Sequence, residues 1–232
     1  MQEFNELQSE FKIIGTLVEQ SASDSLQRTP MWRKKRKGCF TGSENSDLMG
    51  CGRSTSKMPW NSLEKLVDFG ATAEKQVYIV GKRRTAVVDE MEKSAKQMNH
   101  GKEFEPLLIK QLLKDGIISD FEELDFEYFG EYKNGGASAD GRCKYKGEVV
   151  GLELKCTVSW DGHYKRKYER VDEKHEDFWQ HQSEMLAMGV DKLLYVVAEP
   201  MTVEKYEIEI VKASPVHQKA LLNRCKIADK AI

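Results

Sequence analysis

The segment 149–156 constrains the fold more than any other part of this 232-residue chain. In its sequence, VVGLELKC, apolar residues at the even positions alternate with Gly151, Glu153 and Lys155. A period of two is typical of a β-strand, whose side chains point to opposite faces in turn. The pattern therefore predicts a strand with one apolar face, and with Glu153 and Lys155 together on the other face about 7 Å apart.

A predicted hairpin brings a second carboxylate to this strand. If Lys146-Gly147 is the two-residue turn, the register places Asp140 opposite Glu153, with their Cβ atoms about 5 Å apart. Two carboxylates this close repel unless a cation lies between them, and oxygen ligands favour Mg²⁺ or Mn²⁺. Lys155 is placed to orient a water or to stabilise negative charge. The alternative is an ordinary solvent-facing side of a sheet, on which Glu and Lys alternate frequently.

A third carboxylate lies on a predicted helix, long or broken, from about Ala86 to Lys114. Within it, Glu105 shares a helical row with the core-facing Leu108 and Leu112. A carboxylate in that row is costly unless it is paired or binds a cation. Glu105 is therefore either a further carboxylate of the same site or an exposed acid near a helix start, and the residues alone favour neither.

The remaining periodicities predict a mixed α/β fold with a central mixed β-sheet flanked by helices. Helices are expected at about 3–20, 43–50, 62–69, 175–188 and from Ser214 onward. A three-strand meander is expected from FEYFGEY, SADGRCKYK and GEVVGLELKCTV, followed by strands in DKLLYVVAEP and VEKYEIEIV, with 160–174 irregular. We expect one domain, in which 1–25 is an N-terminal helix and linker, 28–210 the core, and 214–232 a C-terminal helix.

Charge is balanced overall but not along the chain. The net charge is −2, yet the segment RTPMWRKKRK at 28–37 holds six basic residues and no acidic one. Such a block suits a polyanionic ligand, and equally a solvated surface run or a localisation tag. The longest apolar run is six residues (193–198), so no membrane span is expected, and the start of the chain lacks the features of a secretory signal. A cytoplasmic location is therefore predicted.

Five short motifs follow one another along the chain. They are W-x-x-x-R-x-G-x-x-T-G-S from Trp32, G-K-E-F-E from Gly101, S-A-D-G from Ser138, G-L-E-L-K-C from Gly151 and W-Q-H-Q from Trp179. Together they resemble the viral recombination exonucleases typified by phage lambda exonuclease, a family of the PD-(D/E)XK nuclease superfamily. The resemblance implies the restriction-endonuclease-like core of that superfamily.

The resemblance also assigns roles to individual residues. It implies metal binding by Asp140, Glu153 and Leu154, and catalytic roles for Asp140, Glu153, Lys155, Glu105 and Gln180. Gln182 is the weaker candidate for the active-site glutamine.

The first motif resembles the pocket of that family for a DNA 5′-phosphate. Arg36 and Ser43 would then hold the phosphate, since Arg offers a planar fork and Ser43 is able to cap a short helix whose N-terminus attracts anions. The chain departs from the family in two respects, of which the first is Ala139 in place of the proline usual before the motif aspartate. A family carboxylate some ten residues before Asp140 falls on Gly130, so that Glu131 or Glu127 replaces it, or nothing does.

The resemblance implies a metal-dependent 5′-to-3′ exonuclease on linear double-stranded DNA, with two Mg²⁺ or Mn²⁺ ions per site. It would release mononucleotides and leave 3′ single-stranded tails for recombination. A homotrimer and a single-strand annealing partner protein are expected on the same ground. Two alternatives stay open: an endonuclease or junction resolvase of the same fold, and a DNA-binding relative without catalysis.

Overall fold

The computed structural model describes residues 26–50, 69–85, 96–169, 171–173, 175 and 177–232. The predicted helices at 3–20 and 62–69 and the first part of the one at 86–114 lie outside these ranges, apart from single terminal residues. The helices are α1 (Pro30–Arg36), α2 (Asn45–Leu48), α3 (Ala71–Thr85), α4 (Lys96–Lys114), α5 (Trp160–Tyr168), α6 (Phe178–Met188) and α7 (Pro215–Asp229). The strands are β1 (Phe40–Thr41), β2 (Ile118–Glu122), β3 (Glu127–Phe129), β4 (Tyr132–Ala137), β5 (Gly141–Tyr145), β6 (Glu148–Cys156), β7 (Lys192–Ala198) and β8 (Tyr206–Lys212).

The central sheet has five strands in the order β2-β5-β6-β7-β8. Strands β6 and β7 run parallel, and the other neighbours run antiparallel. A smaller sheet, β1-β4-β3, is formed by the chain segments that precede β5. The predicted mixed α/β fold with a central mixed sheet flanked by helices is confirmed.

The hairpin of β5 and β6 has the predicted register. Lys146 and Gly147 both have positive φ, 51° and 83°, as a two-residue turn of this kind requires. Gly141 lies opposite Leu152, so Asp140, one residue before β5, is level with Glu153. The turn chemistry therefore decides which carboxylates meet.

The two faces of β6 are both covered by helices. Leu152 and Leu154 pack on one face in a cluster with Leu108 and Leu112 of α4. On the other face α6 approaches so closely that a Cβ on Gly151 would lie 2.4 Å from the Met188 methyl group. The predicted separation of faces is confirmed, but the idea of a solvent-facing polar side is wrong.

Several elements differ from the sequence prediction. The stretch 160–174, predicted to be irregular, contains α5, which begins after Ser159 with its hydroxyl accepting from the Gly162 N–H. The predicted meander is split, because FEYFGEY forms the β3–β4 hairpin of the small sheet while the unpredicted β2 pairs with β5. Helix α3 was also not predicted, although Ala73, Val77 and Val80 are buried at helical spacing. No helix among the residues that the structure describes has the length and apolar character of a membrane span.

Candidate active site

Asp140 reaches the end of β6 from the loop before β5. Its Oδ2 accepts a hydrogen bond of 2.7 Å from the main-chain N–H of Leu154. This bond is possible because β5 ends its pairing at Leu152 and leaves the next main-chain groups of β6 open on that side. Both main-chain groups of a strand residue point to the same side, so the Leu154 carbonyl also faces this opening.

Glu153, Lys155 and Gln180 form a buried hydrogen-bonded ring between β6 and α6. Glu153 is 4% exposed. Its Oε1 accepts from Lys155 Nζ and from Gln180 Nε2, each at 2.7 Å, and Lys155 also donates to Gln180 Oε1 at 3.3 Å. The sequence-predicted glutamine thus lies against the predicted catalytic pair.

Asp177, just before α6, forms a second group of contacts around Lys155. It accepts from the Arg166 guanidinium at 3.1 Å and from the Tyr195 hydroxyl at 2.8 Å, and its Oδ1 lies 3.9 Å from Lys155 Nζ. Burial by itself would raise the pKa of Asp177, but Lys155 and Arg166 hold it well below its usual range. Asp177 is therefore an anion whose charge helps to hold the Lys155 ammonium group in place.

Lys155 is held as an ammonium ion. Burial by itself would lower its pKa, but the carboxylates of Glu153, Asp177 and Glu184 outweigh burial and raise the pKa well above the usual value. A lysine in this state donates hydrogen bonds and stabilises negative charge, and it does not take up a proton at neutral pH.

The carboxylates of the site crowd one another. Withdrawal from solvent, followed by the charges of Glu153 and Glu105, raises the pKa of Asp140 well above its usual range. Burial first, and then Glu153, likewise raises the pKa of Glu184. Glu105 on α4 is half-buried, and burial together with Glu153 raises its pKa although Arg28 and Lys155 oppose this. The raised pKa values show that these carboxylates repel one another and that Lys155 does not offset the repulsion.

This donor set fits a divalent cation, although no ready-made cage is present. Asp140, Glu153 and the open Leu154 carbonyl supply oxygen atoms of the kind that Mg²⁺ and Mn²⁺ prefer. Among the described residues, no three His, Cys, Asp or Glu side chains are arranged to hold a metal. In the structure, Lys155 and Gln180 both donate to Glu153 Oε1.

A cleft next to these residues is lined by side chains from the first motif. Arg36, Ser43, Ser138, Gln180 and Glu184 are among its lining residues. Arg36 donates to the Ser43 hydroxyl at 3.2 Å. The structure therefore brings the predicted phosphate-binding pair and the predicted catalytic glutamine to one cleft.

The elements around Arg36 explain its position. Its guanidinium lies 4.8 Å from the centre of the Trp32 ring, on the same helix α1. The Trp32 indole in turn donates to the Ser138 hydroxyl at 2.8 Å, two residues before Asp140. The expectation that Ser43 caps a helix is wrong: it lies inside the 3₁₀ turn Gly42–Glu44, and neither that turn nor α2 has a side-chain cap. Ser43 instead accepts from Arg36.

Three other candidate residues lie elsewhere. Gln182 is fully buried and joins α6 to the end of β8, donating to the Lys212 carbonyl and accepting from the Ser214 N–H. Glu127 begins β3 and Glu131 lies in the β3–β4 turn, and both are exposed. The structure brings none of the three to Asp140.

Two residues of the site were missed in the sequence. Asp177 and Glu184 flank Gln180 on α6, at positions i−3 and i+4. Residues at this spacing share a helix face. The positions three residues before and four residues after Gln180 are therefore the sequence signal that identifies Asp177 and Glu184.

Comparison with known proteins places this geometry in context. The YqaJ-like viral recombinase domain family matches residues 31–191. No curated protein matches the chain.

Solved structures share the fold. An alkaline exonuclease (LHK-Exo) from Laribacter hongkongensis superposes with a TM-score of 0.67 at 17% identity, over 88% of this chain and 92% of that one. A structure of LHK-Exo in complex with dAMP gives 0.66 at 19% identity, with the same coverage. A phage-related exonuclease from Haemophilus somnus 129PT gives 0.57 at 15% identity, over 83% and 92% of the two chains. These matches confirm the predicted PD-(D/E)XK fold.

Proposed function

Because the chain belongs to the family of YqaJ-like viral recombinase domains, we propose that it is a metal-dependent exonuclease on linear double-stranded DNA. It degrades one strand from the 5′ end, releases mononucleotides and leaves a 3′ single-stranded tail. The observation that carries the proposal is the common cleft, in which an arginine–serine pair suited to a terminal phosphate adjoins Gln180 and the carboxylates.

The general assignment to the nucleases has two independent supports. The family match covers most of the central sheet and its flanking helices, and the structures with the same fold are exonucleases. One of those structures holds dAMP, which is a 5′-mononucleotide and hence the type of product proposed here. The proposal goes beyond these supports in the type of product, the strand polarity and the formation of a 3′ tail.

Asp140, Glu153 and the Leu154 carbonyl would hold Mg²⁺ or Mn²⁺, and Glu105 would assist from α4. A bound pair of such ions supplies an activated water and neutralises charge at the leaving oxygen. The protein would contribute a buried recess with several neighbouring carboxylates. A divalent cation bound there would relieve their mutual repulsion.

Lys155 and Gln180 act on the phosphate and on the water. The ammonium form of Lys155 donates hydrogen bonds, so it is suited to stabilising negative charge on the scissile phosphate or to orienting the attacking water. Gln180, which bridges Glu153 and Lys155, positions the same groups through its amide. Asp177, whose Oδ1 lies 3.9 Å from Lys155 Nζ, helps to hold the lysine ammonium group in place.

Arg36 provides end recognition. A guanidinium fixed over Trp32 and bonded to Ser43 loses little conformational freedom when it binds a phosphate through two parallel hydrogen bonds. Lys34, exposed on the same helix, offers only diffuse attraction to the DNA backbone. The two residues therefore separate specific from general phosphate binding.

The test is digestion of 5′-phosphorylated, 5′-hydroxyl and covalently closed circular duplexes, with Mg²⁺ and with chelator. We expect release of mononucleotides from linear DNA only, faster from 5′-phosphorylated ends and abolished by chelator. Cleavage of the circle would identify an endonuclease or resolvase instead. Binding of DNA without release of nucleotides in Mg²⁺ or Mn²⁺ would identify a non-catalytic DNA-binding protein.

Arg36→Ala should remove the preference for 5′-phosphorylated over 5′-hydroxyl ends, lowering the rate on phosphorylated ends by about 10-fold to 100-fold. Lys34→Ala is the matched control and should keep the preference. Initial rates on both substrates at equal salt provide the measurement. If Arg36→Ala keeps the wild-type preference, or Lys34→Ala loses it equally, the basic segment is only an electrostatic surface.

Assembly is proposed on the family resemblance. A ring-shaped homotrimer around DNA would keep the substrate attached between cleavage steps, and a single-strand annealing protein would receive the 3′ tail. Sedimentation with and without linear duplex tests the trimer.

A further inference from the structure

Among the carboxylates of the site, Glu184 is the one with a buried oxygen that lacks a hydrogen-bond partner in the described part of the chain. It is 1% exposed, and its Oε2 has no hydrogen-bond partner among the residues that the structure describes. It also lines the cleft that contains Arg36 and Ser43. A buried carboxylate oxygen without a partner is costly to a fold, which points to a ligand that completes it.

The position of Glu184 relative to Glu153 indicates what that ligand is. Gln180 Nε2 donates to Glu153 Oε1 and to Glu184 Oε1, both at 2.7 Å. The two carboxylate oxygens therefore cannot lie farther apart than twice that distance. The Gln180 amide nitrogen contacts both oxygens. A small cation in its place would contact the same two oxygens.

The nearby lysine does not complete this pair. Lys155 bonds Glu153 Oε1 and Gln180 Oε1, and the second oxygen of Glu184 stays without a bond. The described residues offer this oxygen no further partner, and two oxygens of opposed carboxylates suit a divalent ion.

We propose that Glu184 contributes a carboxylate oxygen to divalent-cation binding together with Glu153, after the Gln180 amide moves aside. This inference rests on the proposed metal-dependent function and extends it by one residue.

A structural role for Glu184 predicts a different result in one measurement. If Glu184 holds a cation, a neutral isostere should reduce the stabilisation that Mn²⁺ gives to the fold. If Glu184 only anchors Gln180 by a hydrogen bond, its replacement lowers stability with or without metal.

The experiment compares wild type, Glu184→Gln and Glu204→Gln, the last an exposed control on a loop. Mn²⁺ binding is measured by calorimetry without DNA, and the melting temperature is measured in EDTA and in Mn²⁺. We expect Glu184→Gln to weaken Mn²⁺ binding by at least about 10-fold and to gain less melting temperature than wild type when Mn²⁺ replaces EDTA. Glu204→Gln should change neither quantity.

Wild-type Mn²⁺ affinity in Glu184→Gln overturns the inference, as does a rise in melting temperature with Mn²⁺ that equals that of wild type. If Glu184→Gln does not fold, Glu184→Asp replaces it in the test. This variant keeps the carboxylate but has a side chain shorter by one methylene, so unchanged Mn²⁺ affinity would contradict the proposal. The exonuclease proposal is judged separately. Weakened Mn²⁺ binding in Glu184→Gln supports the inference even if wild type releases no nucleotides, and nucleotide release by wild type stands even if Glu184 binds no metal.

Discussion

The two faces of β6 use the same strand in opposite ways. On the α4 side, Leu152 and Leu154 are buried among other apolar side chains and are stabilised by removal from water. On the α6 side, Glu153 is buried and Lys155 is half-buried, and their neighbours are ions and amides. One face of the strand thus contributes stability, and the other concentrates charge in a low-dielectric recess.

The difference shows that burial alone does not distinguish core from site. Glu153 is 4% exposed and Leu154 is 2% exposed, yet only the first has partners that a cation or a phosphate could replace. Burial of the acids also changes the design of mutants. An alanine at Glu153 would leave Gln180 and Lys155 without their acceptor, so an isosteric amide is the cleaner substitution.

The largest expected effect is on activity from the polar face. Glu153→Gln and Lys155→Met should each lower nucleotide release by about 10³-fold if, as proposed, Glu153 is a metal ligand and Lys155 stabilises negative charge. Both variants should keep near-wild-type circular dichroism and still bind duplex DNA. Near-normal release by either variant in saturating Mg²⁺ would show that the active site is assigned to the wrong residues.

A smaller effect, on stability, is expected from the apolar face. Leu152→Ala should lower the free energy of unfolding by about 3 kcal/mol, because Leu152 is fully buried beneath α4. Nucleotide release per folded molecule should stay close to wild type, as measured below the melting transition. Urea unfolding gives the first quantity. A large loss of specific activity in the folded variant would mean that the two faces are coupled rather than separate.

The smallest effect concerns acid sensitivity of the polar face. His181 on α6 is fully buried against the Tyr195 ring, and burial lowers its pKa to about 3. Below the unfolded value of about 6.5, the unfolded chain takes up a proton that the folded protein refuses, so stability falls as pH decreases. The loss from this residue should be about 1.4 kcal/mol between pH 7.5 and pH 5.5.

Urea unfolding at both pH values provides the measurement, with His181→Leu as the comparison. The leucine variant should show a shallower decrease of stability over this pH range. An identical decrease in both proteins would mean that His181 is already protonated in the fold or that other groups account for the acid sensitivity.

Much of strand β6 and its candidate site could be predicted because the determinants are local. A period of two assigns Glu153 and Lys155 to one face, and the Lys146-Gly147 turn, with positive φ at both residues, sets the register that brings in Asp140. These features depend on residues within a single hairpin. For the same reason the C-terminal end of α6 was predictable, since Gly189 adopts the left-handed conformation that ends a helix.

Other parts depended on contacts between distant segments. The sequence contains Ser159, but only packing against β7, where the His163 ring meets the Ala198 carbonyl at 3.1 Å, explains a stable α5 in a polar stretch. Strand β2 exists because β5 offers an edge for it. Neither partner is visible from the local pattern of the segment concerned.

The sequence by itself determined which side chains share a face of β6, because alternation and turn geometry are properties of neighbouring residues. Only the tertiary structure decided that α6 closes over that face. This packing surrounds Glu153 and Lys155 with Gln180, Asp177 and Glu184 and turns a common polar pattern into a buried, charged site. The position of one helix over one strand depends on the packing of the whole sheet, which no local periodicity specifies.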